Sequence, residues 1–181
     1  MRVDTFLKHR PSVRNNHLIR VGIDGLSQNL RFKVGKKISD DMIIEYFRVM
    51  IDSGHCNFKM FMMFGYPWES LEDFDQFERL MRRVFRLDLR KNVSLRVKWT
   101  PLIPQPVTPL GEATPRYDTA MVKLINTWHE LHARPRRTPG WYVENDGLMS
   151  QATHRRQCML AAGDESTLMG MPGAMPLWRK S

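Results

Sequence analysis

Cysteine is scarce in this chain, and long apolar runs are missing. Only Cys56 and Cys158 occur among 181 residues, which excludes a disulfide-stabilised scaffold and leaves too few thiols for a four-cysteine zinc or iron–sulfur site. No apolar run approaches the ~20 residues that a membrane-spanning helix needs. Met1 is not followed by the hydrophobic stretch of a signal peptide. We therefore expect a cytoplasmic protein without a membrane partner.

Acidic residues are outnumbered by basic ones. The chain has 28 Lys and Arg against 19 Asp and Glu, a formal net charge of +9, and the excess is spread along its length. Such a charge favours acidic partners or nucleic acid without identifying either. With 42% hydrophobic residues, the chain can bury the core of about one domain, since domains commonly have roughly 100–200 residues.

Three short apolar runs have the character of strands, and helical patterns follow each of them. Strands are predicted at 17–23, 58–64 and 93–100, and helices from Ser39 to Gly54, from Ser70 to Leu89 and from Thr114 to residue 133. This alternation predicts an α/β fold whose parallel sheet has right-handed crossovers. An eight-stranded barrel takes roughly 250 residues. Three repeats therefore predict an open sheet or part of a barrel.

The pattern changes after residue 133. Prolines and a glycine indicate a loop, residues 141–143 (WYV) a short strand, and 148–162 a further helix. From residue 163 the chain is rich in Gly, Met and Pro and is expected to be an irregular tail. We divide the chain into a domain at 1–133 and a C-terminal extension at 134–181.

Unusual segments fall where the predicted strands end, at 22–27, 65–69 and 100–109. Ligands bind at the carboxyl ends of parallel strands. A carboxylate such as Asp24 can accept a hydrogen bond from a ribose hydroxyl or pair with an amine. A simpler interpretation is structural: Gly and Pro end strands, and Asp24 or Ser27 caps the next helix. The spacing alone favours this simpler interpretation.

Taken together and in order, four segments resemble the later part of a radical S-adenosylmethionine (SAM) enzyme of the YgiQ-like and cobalamin-associated (B12-associated) kind. They are RVDT (2–5), GIDGLSQNLRFKVGKKIS (22–39), KMFMMFGYPWESLEDF (59–74) and WTPLIPQPVTPL (99–110). The resemblance covers roughly residues 1–133. It implies a partial (β/α) barrel of about three to four βα units, all with parallel strands, followed by an irregular C-terminal extension.

The resemblance also implies which residues bind SAM. Asp24 would contact the ribose or the amine of SAM, with Ser27 in the same segment, and Lys36 would meet its carboxylate. Gly65 and Pro67 would form a turn whose backbone lies near the adenine. The loop that closes the substrate side would contain Pro104, Pro106 and Pro109.

Such enzymes bind a [4Fe–4S] cluster through a CxxxCxxC loop, and the cluster and SAM together start the radical reaction. No CxxxCxxC occurs in this chain, which begins at what would be the third strand of the barrel. The resemblance therefore implies that a missing N-terminal half or a second chain supplies the cluster. The alternative is a non-catalytic α/β module that binds nucleic acid or a protein. Its open sheet edges also predict a partner chain or self-association.

An arginine row recurs at three- and four-residue steps on the second predicted helix: Arg79, Arg82, Arg83, Arg86 and Arg90. Such a row can contact phosphates of nucleic acid. The simpler interpretation, which we favour, is a solvated helix face whose charges complement the helix dipole.

Three pairs of His and Cys residues lie close enough in sequence to share a metal ion: His55 with Cys56, His129 with His132, and His154 with Cys158. No CxxC or HxxxH pair accompanies them. We therefore expect no metal site.

Overall fold

The computed structural model describes residues 18–163 apart from 88, 90, 91, 107, 115 and 134–139. The RVDT segment and the predicted tail lie outside this range. The described elements, in chain order, are β1 (Ile19–Gly22), α1 (Gln28–Lys33), α2 (Asp40–Asp52), β2 (Asn57–Phe64), α3 (Leu71–Phe85), β3 (Val93–Pro101), α4 (Thr119–His132), β4 (Trp141–Leu148) and α5 (Gln151–Ala161). Among these helices, none has both the length and the apolarity needed to cross a membrane.

The four strands form one parallel sheet in the order β1-β2-β3-β4. Gly22 pairs with Phe61, and Phe64 pairs with Pro101, so the carboxyl ends of the strands lie along the same edge. The predicted α/β fold with a parallel sheet is thus confirmed. The sheet does not close into a barrel within the described residues, because β1 and β4 each have one neighbouring strand.

Helices α2, α3 and α4 all cover the same face of the sheet. Every second side chain of β2 and β3 is buried beneath them. Phe47 of α2, Phe77 of α3 and Trp128 of α4 belong to the same core cluster as these strand residues. Helices α1 and α5 instead contact the loops at the carboxyl ends of the strands. The opposite face of the sheet therefore has no described helix along most of its length.

Regular structure extends further into residues 134–181 than expected. Strand β4 runs over Trp141–Leu148 rather than three residues, and it pairs with β3. Its Trp141 ring lies 5.7 Å from Phe47 and 5.5 Å from Phe85, measured between ring centroids, so β4 shares the core of α2 and α3. The predicted helix after it is present as α5. A domain boundary near residue 133 stays a prediction.

Several helix ends differ from the expected positions, and α5 begins at Gln151 rather than at residue 148, which ends β4. Helix α4 begins at Thr119 rather than Thr114, because the Asp118 carboxylate accepts hydrogen bonds from the backbone N–H groups of Ala120 and Met121. Helix α3 ends at Phe85, four residues before the predicted end. Residues 116–118 are not helical, so α4 does not begin where it was expected.

The aromatic contacts of Phe47 lead to a stability prediction. Its side chain is 0% exposed and packs edge to face on Phe58 and Trp141. We expect Phe47→Ala to lower the free energy of unfolding by about 3–5 kcal/mol, as for other buried Phe truncations. Phe32→Ala, at a 46% exposed position, is the control and should cost less than about 1 kcal/mol. Urea unfolding measures both, and equal losses would contradict the core placement of Phe47.

Candidate functional site

The loops that follow β1, β2 and β3 meet at the carboxyl edge of the sheet. The backbone N–H of Ile23 donates to the carbonyl of Phe61 at 3.1 Å, and the N–H of Leu102 donates to the carbonyl of Phe64 at 2.7 Å. Leu30, Tyr66 and Leu102, one from each loop region, form a second apolar cluster there. This edge therefore brings together segments that are far apart in sequence.

Asp24 and Lys36 form an ion pair at this edge. Their side chains are 24% and 37% exposed, so each can also reach a ligand from solvent. Partial burial lowers the pKa of Lys36 from its usual value. A Cβ added to Gly22 would lie 3.8 Å from the Lys36 ammonium, which places that ammonium against the end of β1. The pair offers one carboxylate and one ammonium side by side.

Arg31 holds the loop that carries Lys36. Its side chain is fully buried and pairs with Asp40 at the start of α2. It also donates hydrogen bonds to the carbonyls of Ile38 (2.9 Å) and Leu26 (3.3 Å). Burial lowers the pKa of Arg31, and the pairing with Asp40 opposes this shift. Sequence reasoning treated Arg31 only as part of a motif, since nothing local distinguishes a buried arginine from a surface one.

The hydroxyl of Ser27 makes two structural hydrogen bonds at the same edge. Its hydroxyl accepts a hydrogen bond from the N–H of Leu30 at 3.1 Å, which caps α1, and donates to the carboxylate of Asp73 in α3. Asp73 in turn accepts from the N–H of Ser70 at 2.8 Å. The capping interpretation of Ser27 is confirmed, whereas its contact with a cofactor stays a prediction.

The turn after β2 depends on a glycine. Gly65 has a φ of +85°, and a Cβ there would lie 2.8 Å from the carbonyl oxygen of Arg116, so no other residue fits without a backbone shift. Pro67 is exposed in the turn, and the neighbouring Trp68 stacks on Tyr66 with 6.3 Å between ring centroids. The carbonyl of Arg116 thus approaches Gly65 closely on one side, and the expected approach of an adenine to this turn stays a prediction.

Glu69 is a buried carboxyl group that sequence reasoning did not select. One of its oxygens accepts a hydrogen bond from the N–H of Gly65, and the other has no hydrogen-bond partner among the described residues. Burial raises the pKa of Glu69 to about 8, the nearby Asp73 and Asp118 add to the rise, and the Gly65 N–H opposes it. Glu69 is therefore mostly protonated at neutral pH. Its position in a turn motif gave no sign of this burial.

The loop after β3 carries Pro104 into a buried position, whereas Pro106 and Pro109 are exposed. Two residues earlier, the carbonyl of Leu102 lies 2.8 Å from the imidazole Nε2 of His154 in α5. The predicted residues Asp24, Gly65 and Pro104 thus belong to three adjacent strand ends.

Residues of two of the three His and Cys pairs make contacts inside the fold. His129 accepts a hydrogen bond from the Trp99 indole at 2.7 Å, and burial lowers the pKa of His129 to about 4, with His132 adding to the effect. The thiol of Cys158 lies 3.3 Å from His154 Nε2, beside a cavity of about 410 Å³. Among the described residues, no group of three or more His, Cys, Asp or Glu side chains is arranged to hold a metal ion.

The described arginines of the row on α3 are exposed, and two of them are paired. Arg82 pairs with Glu78 at 2.7 Å, and Arg83 pairs with Asp41 at 2.6 Å. Arg79 and Arg86 have no acidic partner in the described part of the chain, and Arg90 lies outside it. Binding of nucleic acid to this row stays a prediction.

Comparison of the chain with protein-family models, curated proteins and solved structures finds no significant match.

The burial of Arg31 predicts a large effect on stability. Arg31→Met removes the partner of Asp40 and leaves several carbonyls without a donor, so we expect the free energy of unfolding to fall by about 2–4 kcal/mol. Arg48→Met is the matched control, because Arg48 pairs with Glu45 on the surface and such pairs contribute less than about 1 kcal/mol. Chemical denaturation measures both. Similar small losses would show that Arg31 does not hold the loop.

Glu69 predicts a pH dependence with a defined sign. Its pKa rises from 4.5 to about 8 on folding, so between these values the folded protein keeps a proton that the unfolded chain has lost. The free energy of unfolding contributed by Glu69 should therefore fall as pH rises from about 5 to 8. This fall should amount to on the order of a few kcal/mol over the interval. Glu69→Gln should remove it, and the exposed Glu72→Gln should not. Denaturation at a series of pH values tests the difference.

Proposed function

We propose that this chain is the SAM- and substrate-side portion of a radical SAM enzyme and that its sheet is part of a (β/α) barrel. In this proposal the [4Fe–4S] cluster is held by a further polypeptide segment or by a second chain. The radical reaction then requires both parts. Three features of the described residues support the proposal. They are the strand order of the sheet with its helices on one face, the ion pair at its carboxyl edge, and the types of side chain that could bind a ligand.

The order of the strands and the placement of the helices support the barrel. Its strands follow one another in chain order, and the helices that cover it, α2, α3 and α4, lie on one face. In doubly wound sheets the strand order reverses and helices cover both faces. In a (β/α) barrel the order is continuous and the helices form an outer ring. The helix-free face of this sheet corresponds to the interior of such a barrel.

The ion pair of Asp24 and Lys36 is the observation that carries the proposal. The amino-acid part of SAM bears an ammonium and a carboxylate, which are the complements of these two side chains. Both groups are partly exposed at the carboxyl edge, where ligands bind in parallel α/β folds. Asp24 would accept a hydrogen bond from the SAM amine or ribose, and Lys36 would donate to the SAM carboxylate.

The side chains of this chain suit the binding of SAM but not of the iron–sulfur cluster. An iron–sulfur cluster takes several cysteine thiolates, and the two cysteines here lie apart: Cys56 precedes β2, and Cys158 lies in α5. SAM bound beside a reduced cluster would supply the radical chemistry that removes a hydrogen atom from a substrate. The residues of this chain would bind and orient it, with Arg31 holding the loop of Lys36 in place.

A non-catalytic binding or assembly module is the second candidate. Within the described ranges β1 and β4 each have an unpaired edge, which favours this candidate, because an unpaired strand edge is a site for adding another chain. Both candidates predict a partner or self-association. They differ in whether Asp24 and Lys36 bind SAM.

Binding of SAM by the full chain tests the proposal. We expect Lys36→Met to weaken SAM binding at least 10-fold, and Asp24→Asn to do the same. Asn tolerates the left-handed backbone at this position, where φ is +42°. Lys37→Met, at an exposed neighbouring residue, is the control and should leave binding unchanged. Saturation-transfer NMR measures each affinity.

A second measurement tests the contact between Lys36 and the carboxylate of SAM. Lys36→Met should lose the preference for SAM over an analogue that lacks the carboxylate, whereas Lys37→Met should keep it. If the unmodified chain binds no SAM, or if all three variants bind it equally well, the non-catalytic module becomes the better description. Reconstitution with a chain that carries CxxxCxxC would then add no activity.

A further inference from the structure

The helix-free face of the sheet carries a concentration of positive charge. This face consists of the strand side chains that point away from α2, α3 and α4. Its cations are Arg20 on β1, Lys59 on β2, and Arg96 and Lys98 on β3. None of these residues belongs to the SAM site proposed above, so the chemistry of this face needs its own explanation.

Three of the cations lie side by side. In the strand register Arg20 is the neighbour of Lys59, and Lys59 is the neighbour of Arg96. Adjacent strands are about 4.8 Å apart, so the three side chains start from neighbouring positions on the same face. Like charges this close repel one another and destabilise the sheet unless anions lie nearby.

Two acidic residues of β4 compensate part of this charge. Glu144 is the register neighbour of Arg96, and the two side chains pair at 3.2 Å. Asp146 pairs with Lys59 at 2.5 Å, reaching across β3. The ammonium of Lys59 also lies 5.2 Å from the centre of the Phe61 ring. The middle of the face is therefore neutralised by the chain itself.

Arg20 and Lys98 are the two cations of this face that the acids of β4 do not pair with. Both are exposed, and neither has an acidic partner in the part of the chain that the structure describes. They lie on β1 and β3, two residues apart in register, with Phe61 of β2 directly beside Lys98. Strand spacing and rise put their Cα atoms about 12 Å apart. Two long cationic side chains at this separation can converge on one ligand.

We propose that the helix-free face binds a small molecule with two anionic groups, phosphate or carboxylate, held between Arg20 and Lys98. Phe61 provides an apolar surface between them. Arginine and lysine are the side chains that bind such groups through charge-assisted hydrogen bonds. The identification of this molecule as the substrate rests on the proposed function, whereas the anion site itself does not.

The charges favour a small ligand over nucleic acid. A protein that binds nucleic acid commonly contacts about 6–10 phosphates, and this face has only two cations without an acidic partner among the described residues. The exposed arginines of α3 cannot extend it, because α3 covers the opposite face of the sheet. A long polyanion would therefore meet two separate basic surfaces.

Calorimetric titration of the full chain with inorganic pyrophosphate tests the inference, with succinate as the dicarboxylate and ionic strength kept constant. We expect saturable binding of at least one of them. The double variant Arg20→Gln/Lys98→Gln should bind it at least 10-fold more weakly, and each single variant a few-fold more weakly. Pyrophosphate alone assigns phosphate as the preferred group, and succinate alone assigns carboxylate; either result supports the site.

The matched control is Arg79→Gln/Lys123→Gln, which removes two exposed cations from α3 and α4. It should leave binding unchanged. The urea midpoint of Arg20→Gln/Lys98→Gln should stay the same or rise, because the substitutions relieve repulsion; this separates lost binding from lost folding. Equal weakening in both double variants, or no saturable binding in the unmodified chain, overturns the inference.

Two further outcomes are informative. Binding of a single-stranded RNA oligonucleotide that depends on Arg79 and Arg86, without pyrophosphate or succinate binding, overturns the inference in favour of a nucleic-acid surface. Pyrophosphate binding that depends on Arg20 and Lys98 in a chain that binds no SAM supports the anion site and removes the proposed function. SAM binding without anion binding does the reverse.

Discussion

Burial of apolar side chains between one face of the parallel sheet and the helices α2, α3 and α4 is the contact on which the remaining structure depends. Phe47, Phe77 and Trp128 bring the three helices onto the same strand residues. Because alternate side chains of a strand point to opposite faces, covering one face leaves the other to the second set of side chains. That set is rich in charge, and the carboxyl ends of the strands are left at one edge for loops to meet.

The carboxyl edge is held by buried polar contacts rather than by regular structure. Arg31 pairs with Asp40 and binds carbonyl groups of the loop, while Ser27 joins the start of α1 to Asp73 of α3. A buried charge or hydroxyl is costly without partners, so these contacts restrict the loops to one arrangement. The result is that Lys36, which follows Arg31 closely in the chain, meets Asp24 at the end of β1.

The two proposals concern different parts of the same exposed region. The carboxyl edge carries a balanced pair of opposite charges, which suits a ligand with a zwitterionic amino-acid part, as SAM has. The helix-free face carries cations in excess of the acids that pair with them, which suits an anionic ligand. A barrel completed by further strands would enclose both surfaces and exclude water from them.

The amino-acid sequence by itself determined most of the elements and their order, because strand alternation, helix periodicity and capping residues such as Ser39 are local signals. It did not predict α1, whose six residues are too few to show a helical period. It misplaced the start of α4, since a Thr-Pro pair and Asp118 are both plausible caps and only the folded loop selects Asp118. Tertiary structure alone decided which face the helices cover, that Arg31 and Glu69 are buried, and that Lys59 reaches Asp146. These properties depend on contacts between residues far apart in the chain, which local patterns do not encode.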